Sequence, residues 1–105
     1  MTVIPDRPNF FSKIDTQLSC KQIAELYRAA GWRVRKCSWT DYEINNDWGE
    51  LVVMSDSPVL LNGNVADIPA RAEEVLAPLR GAAIKFTAGF YGPDPERELL
   101  LELCS

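Results

Sequence analysis

No histidine occurs anywhere in this sequence. That removes the commonest general base, the commonest metal ligand, and the Ser-His and Cys-His nucleophile pairs. Any chemistry must come from thiols, carboxylates or an aromatic and basic surface. The thiols are Cys20, Cys37 and Cys104. They are odd in number and irregularly spaced, whereas a thiolate zinc site wants four at short intervals and a disulfide scaffold is denser. They are expected to be reduced, with no disulfide and no bound metal. Cys20 alone has an activating neighbourhood, because it opens an expected helix beside Lys21, where the helix dipole favours an anion. No resolving cysteine or orienting base lies near it, so the plainer reading is a small buried side chain.

The carboxylates Asp41, Glu43, Asp47, Glu50 and Asp56 gather in one segment. Such a group could form an acid/base pair or a cation site. However, Asp47-Trp48-Gly49-Glu50 is too short for an EF-hand loop, and a glycosidase-type pair needs a cleft. A solvated turn region is the simpler reading. Leu61-Asn62-Gly63-Asn64-Val65 lacks the Gly-x-x-x-x-Gly-Lys pattern of a phosphate loop and is expected to be a turn.

The feature with most binding chemistry is the group Trp32, Trp39, Tyr42 and Trp48, interleaved with Arg33, Arg35 and Lys36. Trp, Tyr and Arg are the residues enriched at interface hot spots. Basic strands carrying aromatics also serve single-stranded nucleic acid. The competing reading puts the tryptophans in the core and the cations on a guarded edge strand. From this group Trp39, Trp48, Arg33, Arg35 and Tyr42 are selected as candidate protein-binding residues, with Trp39 or Trp48 as the anchor.

The elements that would position these residues follow from periodicity. Ser19 and Gln22 have the spacing of a capping box, and Leu18 and Ile23 that of a hydrophobic staple. Ile23, Leu26, Tyr27 and Ala30 then share one helical face, and Gly31 is a left-handed stop, giving a helix over 20–30. Strands are expected over 32–39, with an extension or restart at Tyr42–Asn45, then over 51–54 and 59–61. Ile68, Ala72, Val75, Leu76 and Leu79 form the stripe of a second helix over 69–80 that starts at Pro69, with Pro78 expected to kink it or distort its last turn before Gly81. Strict alternation over 84–91 and 97–104 around a Pro/Gly loop reads as a hairpin. Residues 1–15, with Pro5 and Pro8, read as an irregular N-terminal arm on one domain spanning 1–105. The fold class is α+β, with two helices packed on a mainly antiparallel sheet in the order α-β-β-β-α-β-β. The expected core is Ile23, Leu26, Val75, Leu76, Leu79, Phe86, Phe90, Leu99 and Leu101.

Composition sets the remaining bounds. At 105 residues, 47% apolar and 25% charged, the chain can bury a core without staples. A net charge of −4 argues against nucleic acid. No apolar run approaches bilayer length, and the N-terminus has no signal-like apolar stretch, so a cytoplasmic, non-membrane location is expected. Charge is polarised, with seven Lys/Arg against three Asp/Glu in residues 1–36, and five Asp/Glu with no Lys/Arg in 37–56. Either the two segments neutralise each other as neighbours or they present a dipole to a partner.

In element order and acidity the chain is similar, as a fold alone, to small secretion chaperones, and in size and acidity to small toxin-immunity proteins. The expected function is a non-enzymatic protein-binding module of chaperone, immunity or regulatory-subunit type. It needs no cofactor, and its partner is another protein chain or a second copy. The alternatives are a small enzyme or ligand-binding domain using Asp, Glu or Cys20, and single-stranded nucleic-acid binding.

Overall fold

Seven strands and two helices are arranged in a computed structural model that describes residues 4, 7–54, 58–68, 70–92 and 99–104. In chain order they are β1 (Phe10–Asp15), α1 (Cys20–Ala29), β2 (Arg33–Lys36), β3 (Tyr42–Asn45), β4 (Gly49–Met54), β5 (Val59–Val65), α2 (Ala72–Gly81), β6 (Lys85–Tyr91) and β7 (Leu99–Cys104). The strands form one sheet in the order β2-β3-β4-β5-β1-β6-β7, with every pairing antiparallel.

The α+β class and the two helices agree with the sequence reading, but the order α-β-β-β-α-β-β is corrected. A strand precedes α1, and four strands rather than three separate the helices. Residues 10–15, expected in an irregular arm, form β1, which lies inside the sheet between β5 and β6. Two polar residues make that position tenable. Ser12 is buried and donates from Oγ to the Leu61 carbonyl at 2.8 Å. Asn9 is buried too, and its carboxamide donates to the Val65 carbonyl at 2.7 Å and accepts from the Val65 N–H at 2.8 Å. The Asn9 side chain thus supplies one more rung to the β1–β5 ladder. The turn expected at Leu61–Val65 is strand instead, continuing β5 to Val65.

α1 starts as its sequence dictates. Gln22 N–H donates to Ser19 Oγ at 3.2 Å, and Ser19 N–H donates to Gln22 Oε1 at 2.9 Å. It ends at Gly31, whose φ of 98° is left-handed, with Trp32 N–H returning to the Tyr27 carbonyl. α2 contains Pro78 and ends at Gly81, one residue past the expected limit of 80. The left-handed residue there is Ala83, at φ 56°, and Ile84 N–H closes onto the Leu79 carbonyl. Pro69, the expected helix start, lies outside the described residues; helical geometry begins at Ala72.

The helices cover one face of the sheet, and the core forms between them. It contains Phe10, Ile14, Ile23, Tyr27, Ile44, Leu51, Val53, Leu61, Val75, Leu76, Leu79, Phe86 and Phe90. Three expected core residues are corrected. Leu26 and Leu101 are half-buried, and Leu99 is 46% exposed. Leu101 stands on the edge strand of the sheet, and Leu99 is displaced by a bulge. Leu101 pairs with Phe90 but Leu99 pairs with Tyr91, so Leu100 is an extra residue that breaks the alternation. Among the described residues no helix is long and apolar enough to cross a membrane.

Tyr27 ties the helices together: its hydroxyl donates to the Val75 carbonyl at 2.6 Å from a fully buried position. Burial holds this phenol protonated well above the usual tyrosine range. In the unfolded chain a tyrosine ionises near about pH 10. The contribution of Tyr27 is therefore fully present below about pH 10 and is lost above it, at about 1.4 kcal/mol per pH unit. Urea melts in the alkaline range should show a shallower loss of stability for Tyr27→Phe than for the parent; parallel losses would refute the assignment.

Candidate protein-contact surface

The hairpin β2–β3 is one edge of the sheet, and its register explains where the candidate residues point. Val34 pairs with Ile44 and Lys36 with Tyr42, while Arg33 pairs with Asn45 and Arg35 with Glu43. Ile44 is buried, and Val34 and Tyr42 pack partly against the core beneath α1. Residues on one strand alternate between faces, so Arg33 and Arg35 project from the opposite, uncovered face. There Arg33 Nε donates to Asn45 Oδ1 at 2.8 Å, and its guanidinium lies 3.6 Å from Asp47. Arg35 is ion-paired and hydrogen-bonded to Glu43. The cations of the first segment thus meet the carboxylates of the second, as the neighbour reading of the charge polarity expects. These pairs are exposed, so each contributes little to stability.

The three tryptophans part company. Trp32 is buried, edge-on to Tyr27 at 5.5 Å and to Trp48 at 5.0 Å between ring centroids. Trp48 is partly buried, with the Arg71 guanidinium 4.8 Å from its ring centroid. Trp39 is 92% exposed. It sits in the loop 37–41 that joins β2 to β3, and that loop is closed on itself. Cys37 N–H donates to the Asp41 carbonyl at 3.0 Å, and Asp41 N–H donates to Ser38 Oγ at 3.2 Å. An indole is therefore presented to solvent on a hydrogen-bonded turn, with Arg35 on the strand that leads into it.

The remaining candidates for chemistry are dispersed. Cys20 is buried in the first turn of α1, whereas Cys37 and Cys104 are exposed. Glu43 and Asp47 are engaged by arginines, Asp41 is bound within its loop, and Asp56 lies outside the described residues. Among the described residues no three His, Cys, Asp or Glu side chains converge as a metal ion requires.

A surface that sequence reasoning did not single out is the uncovered face of the sheet. Across the registers, Arg35, Glu43, Val52, Asn62, Phe11, Gly89 and Glu102 form one row over all seven strands. Two shallow hollows adjoin there, of about 520 and 550 Å³, sharing Phe11 and Asn62. Phe11 meets Tyr91 edge-on at 5.7 Å. The signal available in the sequence was the alternation Leu60, Asn62, Asn64, which places amides on one face of β5 and Leu61, Gly63 and Val65 on the other. No protein-family model, no curated protein and no solved structure matches this chain.

Proposed function

We propose that the protein is a non-enzymatic binding module that docks another protein chain on the β2–β3 tip, with Trp39 as the anchor and Arg35 beside it. The observation that carries this is the exposure of Trp39 on a closed turn, in a chain whose other two tryptophans are packed. A tryptophan can bury about 150–250 Å² of surface. It is among the side chains most enriched at interface hot spots, where truncation costs about 2 kcal/mol or more. The loop's own hydrogen bonds order the backbone that carries Trp39 before binding, which lowers the ordering cost of association. Arg35 already has a carboxylate partner, so its part is to steer the encounter from the rim.

The test begins with affinity capture from host lysate and identification of the partner by mass spectrometry. Binding of the purified partner is then measured for three variants. Trp39→Ala should weaken binding about thirtyfold or more, the equivalent of 2 kcal/mol, while leaving the melting temperature unchanged. Trp32→Ala should instead lower the melting temperature. Arg35→Ala should change mainly the association rate and its salt dependence. Unaltered binding by Trp39→Ala overturns the proposal.

A further inference from the structure

The hollow of about 520 Å³ on the uncovered face has a definite chemistry. Its side chains include Glu43, Glu50, Asn62 and Asn64, set among the apolar Val52 and Met54, and no cation lines it. The protein's own arginines approach from β2 but are already engaged: Arg35 holds Glu43, and Arg33 holds Asn45 and Asp47. Glu50 is exposed, and among the described residues no cation reaches its carboxylate. Asn62 is half-buried on the floor, next to Val52 in the adjoining strand.

We infer that this hollow receives an arginine side chain presented by a partner protein, its guanidinium on Glu50 and its stem over Val52 and Met54. Charge selects a cation, because the lining includes Glu50, whose carboxylate no cation of the described residues reaches, and no positive group. Shape selects the guanidinium. Glu50 on β4 and Asn62 on β5 share this face of adjoining strands, so the acceptors stand on backbones about 4.8 Å apart. A planar fork of five N–H donors can reach several such acceptors at once, whereas an ammonium is a compact point charge. The apolar neighbours suit the methylene stem, which packs on apolar surface while its head stays polar. A volume of this size lies within the range of ligand sites and has room for the flanking peptide backbone. This site is separate from Trp39 and does not rest on it.

The direct experiment is an amide-resolved NMR titration of the whole chain with N-acetyl-arginine amide, N-acetyl-lysine amide and N-acetyl-norleucine amide. Saturable shifts confined to β4, β5 and Phe11 are expected with arginine, weaker ones with lysine and none with norleucine. Glu50→Gln, at an exposed position, should reduce the arginine affinity about tenfold, the effect of losing one charged hydrogen bond. Trp39→Ala should leave the titration unchanged, so failure here and failure at the hairpin tip can be told apart. Equal affinity for lysine overturns the arginine assignment. Equal shifts with norleucine, no saturable shift with any probe, or indifference to Glu50→Gln overturns the site.

Discussion

Replacing Gly63 with alanine is expected to remove about 3 kcal/mol or more of stability, a large part of what a domain of this size possesses. Gly63 stands in the middle of β5, paired with Leu51 of β4 on one side and Phe10 of β1 on the other. A Cβ on it would lie 2.1 Å from the Glu50 carbonyl oxygen and 2.7 Å from Leu51 Cα. Both obstacles are backbone, so no rotamer change can relieve them. The strands that would have to separate are held by ladders on both sides. Gly81 offers the opposite case, since a Cβ there meets nothing within 4 Å and the residue is helical. Gly81→Ala should be neutral or stabilising by up to about 1 kcal/mol. Chemical denaturation of the two variants side by side is the measurement. A loss below about 1 kcal/mol for Gly63→Ala would mean that β4 and β5 do not approach so closely.

Leu76→Ala should cost about 2–5 kcal/mol. The side chain is wholly buried in α2, within the layer that packs against β6 and α1. Truncation loses the transfer free energy of the removed carbons and leaves a cavity that the rigid sheet cannot collapse to fill. The same substitution at Leu26, only half-buried on α1, should cost clearly less. Urea melts of both test the ranking. Equal costs would show that the helices pack on the sheet with a different face from the one described.

The helices were legible because their signals are local. A capping box, a left-handed glycine and an apolar stripe each act within a few residues, so Ser19, Gln22, Gly31 and the Val75-Leu76-Leu79 stripe could be read one after another. The β6–β7 hairpin was legible for the same reason, as alternation on either side of a short loop. Its bulge at Leu100 was not, because an extra residue leaves the composition of the strand unaltered and shows only in the pairing.

The candidate site was half legible. Sequence could place three tryptophans, a tyrosine and three cations in one stretch, but their sides depend on the register of β2 against β3 and on where α1 lies. Packing Trp32 against Tyr27, and Trp48 against Trp32 and Arg71, was decided by contacts between elements distant in the chain.

By itself, then, the sequence determined the helix limits at α1, the antiparallel α+β class, the absence of histidine chemistry and the presence of a Trp/Arg segment. Only the tertiary structure decided that Phe10–Asp15 enters the sheet between β5 and β6, that Trp39 is the tryptophan left in water, and that an uncovered face carries an acidic hollow. The reason is the range of the forces involved. Caps and periodicity are satisfied within one segment, whereas an inserted strand earns its hydrogen bonds only from residues about fifty and seventy-five positions away, Gly63 and Phe86 among them.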